Sequence, residues 1–222
     1  MTGHSRRDFL KRAAGLAAVS LAAPYVVPAS ARGADGTVSP SERITMGAIG
    51  IGGRGNYVMG AFMGNNDVQM TTVCDVRGER RQGAKQKVDK HYDNADCRTY
   101  LDFREVLGRP DIDAVMIATG ENWHAIASIM AAKAGKDIYS EKPPTHTIAE
   151  GRELADTIRR LGTVYQCGTQ RRSITRFRYA CDLAKSGALG KLKTLRAEGA
   201  GKITVPGYFS CDPQPTPPKE KL

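Results

Sequence analysis

Short apolar runs alternate with longer stretches of spaced apolar positions across most of the chain. Runs rich in Val, Ile and Met at 44–50, 68–74, 113–118, 137–140 and 163–168 predict strands, with a weaker one near 98–101. Between them the spacing predicts helices at 53–63, 78–91, 103–108, 123–134, 148–161 and 175–186. The helix from Ile148 carries Leu154, Ile158 and Leu161 on one face, and Thr147 with Glu150 forms a capping box at its start. This alternation predicts an α/β fold, a doubly wound parallel sheet covered by helices on both faces. After Gly190 the texture changes. Lys191 to Ala200 reads as a strand of a second unit with Leu192, Leu195 and Ala197 apolar, and the end is rich in proline.

The first run ends in Gly50-Ile51-Gly52-Gly53-Arg54-Gly55, and the second ends on Asp75, twenty residues past the last glycine. A G-x-G-x-x-G string alone is weak, but strand, loop, helix, strand and acid in this order match a dinucleotide-binding βαβ unit. Gly50 permits the tight turn, Gly52 lets backbone approach a pyrophosphate, and Gly55 lets helix and strand pack closely. Gly53 and Arg54 open the helix, whose N–H groups and positive dipole end suit phosphates. Asp75 is expected to accept hydrogen bonds from ribose hydroxyls. It favours NAD, while Arg77 and Arg80 can accommodate the extra phosphate of NADP.

The first 31 residues read as an address. Ser5-Arg6-Arg7-Asp8-Phe9-Leu10-Lys11 matches a bacterial twin-arginine signal, followed by an alanine-rich stretch and Ala29-Ser30-Ala31 as a cleavage site. The expectation is export to the periplasm by the twin-arginine machinery, with membrane tethering if the leader stays uncleaved. Residues 32–43 then form a linker. The formal net charge is +10, but the basic residues are scattered without an aromatic platform, which argues against nucleic acid. The densest run, Arg80, Arg81, Lys85, Lys87 and Lys90, reads as the solvated face of a helix. Five cysteines (Cys74, Cys97, Cys167, Cys181 and Cys211) form no C-x-x-C pair, which speaks against a zinc or dithiol site, and the odd number does not fit a disulfide framework. Cys74 and Cys167 read as small buried thiols.

More chemistry follows the later strands. Thr119, Asn122 and His124 come after the run 113–118, and Glu141-Lys142-Pro143 comes after 137–140. Ligands of doubly wound sheets lie outside the carboxyl ends of the strands, so these residues are expected beside the nucleotide. Lys142 there can hold a substrate hydroxyl and favour a developing alkoxide. Read alone, His124 is equally a helix-start histidine bonded to backbone, and Lys142 equally a surface lysine. Gly168-Thr169-Gln170-Arg171-Arg172 follows the last strand and is expected to cover the nicotinamide end.

Together these residues resemble the Gfo/Idh/MocA oxidoreductases, typified by glucose–fructose oxidoreductase and inositol dehydrogenase. The resemblance runs from about Ile44 to Gly201. It includes the glycine loop, Cys74-Asp75, Asp111-Ile112-Asp113-Ala114-Val115, Asn122-Trp123-His124, Ala134-Gly135-Lys136, Glu141-Lys142-Pro143 and Ser186-Gly187-Ala188-Leu189-Gly190-Lys191. It implies an N-terminal Rossmann domain, here 44–168, and the start of an α+β C-terminal domain with an open antiparallel sheet, here 169–222. It further implies hydride transfer between NAD or NADP and a sugar, polyol or related carbinol, with Lys142 catalytic and Glu141 and Gln170 in the cofactor site. A homo-oligomer is implied for the full-length protein. The chain departs from the pattern at Gly120, where the family usually has proline. Members also run well beyond 222 residues, with an aspartate–histidine catalytic pair in the part missing here. The expectation is a truncated chain that binds nucleotide weakly, if at all, and does not turn over alone.

The twin-arginine route carries folded proteins, so an exported enzyme of this kind is expected to hold its cofactor tightly and regenerate it in place. Three classes stay open: a redox enzyme, a glycosidase or lyase using NAD transiently, and a non-catalytic nucleotide-binding module.

Overall fold

The computed structural model describes residues 38–194 and 196. The leader, Leu195, Ala197 and the proline-rich end lie outside the described residues, as does Cys211. Six strands, β1 (Ile44–Ile49), β2 (Val68–Cys74), β3 (Arg98–Tyr100), β4 (Ala114–Ile117), β5 (Asp137–Ser140) and β6 (Tyr165–Cys167), form one sheet. Helices α1 (Gly53–Met63), α2 (Gly78–Tyr92), α3 (Phe103–Leu107), α4 (Glu121–Lys133) and α5 (Ile148–Leu161) link them. The strand order is β3-β2-β1-β4-β5-β6, and every neighbouring pair is parallel. The chain works outward from β1 to β3, then crosses back to lay β4 against β1. The order reverses between β1 and β4, and their carboxyl ends bound the crevice in which ligands of such sheets bind.

Side-chain alternation gives the sheet a core on each face. Met46 and Ala48 of β1 join Met59 and Val88 on one side. Ile49 joins Val106, Ala127 and Ile138 on the other. β4 divides likewise, Met116 facing the first core and Val115 and Ile117 the second. Each buried Val, Ile or Met among them contributes ~1.5–3 kcal/mol by burial, so the loops at the carboxyl ends of β1 and β4 spring from strands packed on both faces.

Element ends depart from the periodicity for local reasons. β1 stops at Ile49 because Gly50 turns to φ +83°. β4 starts after Asp113, whose carboxylate accepts the Thr45 N–H at 2.7 Å and the Thr45 hydroxyl at 2.6 Å. The capping box at α5 forms: Thr147 Oγ1 accepts the Glu150 N–H at 3.2 Å, and the Glu150 carboxylate accepts the Thr147 N–H at 3.1 Å. At its other end Gly162 turns left-handed (φ 68°), which delays β6 to Tyr165. Leu161, expected on the buried face, is exposed.

The basic run on α2 is more engaged than a solvated face. Arg81 Nη1 donates to the Asp75 carbonyl at 2.5 Å, Lys85 Nζ to the Cys97 carbonyl at 2.7 Å, and Lys87 Nζ to Asn56 Oδ1 at 2.6 Å. These bonds fasten α2 to the end of β2, to the start of β3 and to α1.

Cys74, Cys97, Cys167 and Cys181 are free thiols, the first two buried and Cys167 partly so. Burial, with the nearby Asp75 charge, pushes the Cys74 thiol up to about 12, and burial pushes Cys97 up to about 11. Alkylation of the native chain at pH 8, mapped by peptide mass, is therefore expected to mark exposed Cys181 first and to reach Cys74 and Cys97 only on unfolding. Because both folded values are raised, the stability they contribute is complete below about pH 9 and is lost as pH rises towards 11–12.

A division into two compact units falls between Gln170 and Arg171. The second contains α6 (Thr175–Lys185), with the Arg171 and Arg176 guanidinium groups over the Phe177 ring. Lys191–Thr194, the described start of the expected strand, form none. No helix among the described residues is long and apolar enough to cross a membrane.

Candidate functional site

The glycine loop after β1, the Thr119 loop after β4 and the Lys142 turn after β5 converge at the carboxyl edge of the sheet. A Cβ at Gly50 would stand 2.6 Å from the Thr119 amide nitrogen and 2.7 Å from the Ala118 carbonyl. The left-handed turn and this close approach together require glycine. At Gly55 a Cβ would stand 2.0 Å from the Gly50 carbonyl oxygen, so α1 packs directly on the loop's own backbone.

The other two glycines face open space. A Cβ at Gly53 would meet nothing within 4 Å, and one at Gly52 only the Arg80 guanidinium, at 3.6 Å. Gly52 is the N-cap of α1 and offers no side chain to the helix's first N–H groups. Those donors and the positive dipole end are left for an anion. The uncapped donors and the open space at Gly53 fit an anion such as a pyrophosphate.

Asp75 is 7% exposed. Its Oδ2 accepts the Ile51 N–H at 2.7 Å and its Oδ1 the Arg77 N–H at 2.9 Å. Arg80 Nη1 lies 3.9 Å from Oδ2, and Arg77 Nη1 lies 3.9 Å from Glu79. Asp75 thus shapes the glycine loop as well as standing where a ribose is expected, each oxygen keeping one lone pair for a hydroxyl. Asp75→Ala would leave the buried Ile51 N–H without its acceptor. The expected loss is about 1–3 kcal/mol, to be read as a lower denaturation midpoint together with weaker NADH binding.

His124 lies between two backbone carbonyls at the carboxyl edge of the sheet. It is 2% exposed, with Nδ1 2.6 Å from the Pro143 carbonyl and Nε2 3.1 Å from the Thr119 carbonyl. Each ring nitrogen faces a backbone carbonyl and whichever carries the hydrogen donates, so His124 packs between the Thr119 loop and the Lys142 turn. Thr119 Oγ1 turns back to the Gly120 carbonyl at 3.2 Å, and Asn122 is exposed in the first turn of α4.

Glu141 is buried and gathers the site. Its Oε1 accepts from Arg54 Nε at 2.8 Å, from the Tyr139 hydroxyl at 3.3 Å and from Gln170 Nε2. Its Oε2 faces the Lys142 N–H at 3.3 Å. Burial works against the Arg54 charge, but the hydrogen bond and the charge of Glu141 outweigh it and raise its pKa. The Lys142–Pro143 peptide bond is cis. The exposed Lys142 ammonium has no ion-pair partner among the described residues. Gln170, expected over the nicotinamide end, also donates to the Tyr139 hydroxyl at 2.6 Å. Sequence reasoning missed Tyr139. The available signal was its position two residues before Glu141 on a strand, which puts both side chains on one face.

Residues 44–169 match the family model described as "Oxidoreductase family, NAD-binding Rossmann fold". The chain belongs to the Gfo/Idh/MocA oxidoreductase family. An alpha-N-acetylgalactosaminidase of Shewanella oneidensis is 32% identical over 70% of this chain and 37% of its own length. A myo-inositol 2-dehydrogenase of Thermotoga maritima is 27% identical over 78% of this chain and 46% of its own. Among solved structures, the scyllo-inositol dehydrogenase of Lactobacillus casei with bound NAD(H) and scyllo-inositol shares the fold, with a TM-score of 0.60 and 24% identity over 67% of this chain and 43% of that one. This Gfo/Idh/MocA chain thus spans less than half the length of each. The match covers the strands, the glycine loop and the Glu-Lys-Pro turn, and ends just before Gln170.

Proposed function

We propose that the protein is an NAD(P)-dependent oxidoreductase acting on a CH–OH group of a sugar, polyol or related carbinol. The observation that carries this reading is the exposed Lys142 ammonium, set one residue from the carboxylate that binds the glycine loop through Arg54. Gly52, Gly53 and the start of α1 hold the pyrophosphate, and Asp75 meets the adenosine ribose. A bound nicotinamide dinucleotide supplies the two-electron redox chemistry. Lys142 would donate a hydrogen bond to the substrate hydroxyl oxygen and stabilise negative charge that develops on it. Glu141, neutralised by Arg54, does not compete for that ammonium. Incubating the complete enzyme with NAD and a panel of polyols and aldoses, followed at 340 nm, tests the reading. Growth of NADH absorbance with one class of carbinol supports it.

A second reading is favoured by the similarity to the Shewanella glycosidase. In it the cofactor is used transiently and no net redox change accumulates. Glycoside cleavage with constant NADH absorbance would select it over the dehydrogenase.

Export through the twin-arginine route is also proposed, on Arg6, Arg7 and the alanine-rich stretch after them. An exported enzyme then keeps its nucleotide bound, recycles it in place and works as a homo-oligomer. Intact mass of protein from the periplasm, before and after denaturation, tests both leader cleavage and retained nucleotide. A protein found only in the cytoplasm with its leader intact overturns the export reading.

A further inference from the structure

Tyr139 touches the cofactor site only through another side chain. Its hydroxyl accepts from Gln170 Nε2 and donates to Glu141 Oε1, the oxygen that binds Arg54 Nε. The space for this cluster exists because residue 168 has no side chain. A Cβ there would stand 2.9 Å from the Tyr139 hydroxyl, 3.0 Å from Gln170 Nε2 and 3.0 Å from Glu141 Cδ. On the far side, the Arg54 guanidinium lies over the Tyr57 ring, 5.1 Å from its centroid.

Arg54 is the second residue of α1, where the helix dipole disfavours a cation. It is held there by the carboxylate of Glu141, whose side chain is 4% exposed against 44% for Arg54. A flexible arginine in this place would cost a phosphate-bearing ligand the entropy of ordering it. An arginine already held by a fixed carboxylate costs far less. The burial and the nearby Glu141 charge that raise the Tyr139 pKa keep its hydroxyl protonated, and so able to donate.

We propose that Tyr139 is a positioning residue for cofactor binding: with Gln170, beside the bare backbone of Gly168, it orients Glu141 so that Arg54 stays at the anion-binding start of α1. The proposal rests on the dinucleotide reading of the glycine loop. It adds a requirement on β5 and on the segment after β6, neither of which belongs to the loop.

The test is an NADH titration of the complete enzyme, read by the change in dihydronicotinamide fluorescence on binding. Tyr139→Phe is expected to raise Kd about 3–10-fold, the worth of one hydrogen bond in an organised site. Gly168→Ala, which pushes a methyl into the same cluster, is expected to act in the same direction. In an Arg54→Gln background, either change should alter Kd by less than about twofold, because the group they act through is gone. A merely structural role would move the melting temperature and Kd alike in both backgrounds. Equal losses of affinity in the two backgrounds, or an unchanged Kd for Tyr139→Phe, overturn the proposal. Gln170→Met gives the same cycle should Tyr139→Phe fold poorly. Absence of NADH binding by the unaltered complete enzyme overturns the dinucleotide reading itself, and the proposal with it.

Discussion

Gly55→Ala is expected to lower the melting temperature by about 5–10 °C and to abolish measurable NADH binding. The added methyl would lie 2.0 Å from the Gly50 carbonyl oxygen. No rotamer relieves this, because the clash is between Cβ and backbone. α1 must lift off the loop, and the Gly52–Arg54 donors move with it. Gly53→Ala separates packing from binding. Its Cβ meets nothing within 4 Å, so the fold should tolerate it, while a ligand needing that open space should bind less tightly. Thermal denaturation and NADH titration of both variants check the pair. A Gly55→Ala protein with unaltered melting would show that α1 does not pack as described.

Lys142→Met in the complete enzyme is expected to cut kcat on the order of 10²–10³-fold, the usual loss when one donor to a developing oxyanion is removed. NADH affinity should stay within about twofold, since pyrophosphate binding falls to backbone donors on α1. Lys142→Arg should recover little, because a planar guanidinium does not reproduce a compact ammonium. Steady-state kinetics beside NADH titration separates the two effects. A Lys142→Met enzyme with ordinary kcat would remove the lysine from the chemistry.

Both predictions begin from features visible in the one-dimensional pattern. The run 44–50, its glycines and Asp75 identify β1, the loop, α1 and β2, because each depends on local period, turn geometry and backbone freedom. The capping box of Thr147 and Glu150 was legible for the same reason, as it spans only four residues. The Glu-Lys-Pro turn could be assigned to the carboxyl edge of the sheet, since every strand of a parallel sheet ends at that same edge.

Side-chain partners were far less legible. His124 reads equally as a ligand or as a backbone-bonded helix residue, and its carbonyl partners, Thr119 and Pro143, appear only once the sheet is folded. Nothing in the sequence pairs Gln170 with Tyr139 and Glu141, and it is the gap left by Gly168 that lets it reach both. The basic run on α2 reads as solvated, yet Arg81, Lys85 and Lys87 find carbonyl and amide oxygens on neighbouring elements.

By itself, then, the sequence determined the succession of strands and helices, the glycine turn and the place of Lys142 just after a strand, all of which depend on residues close together along the chain. Only the tertiary structure decided which charge neutralises which. Sheet order sets β1 beside β4 and β4 beside β5, and this brings Arg54 to 2.8 Å from Glu141 across 87 positions of sequence. A buried carboxylate takes whichever donors the packing brings within reach, and the packing is a property of the folded sheet.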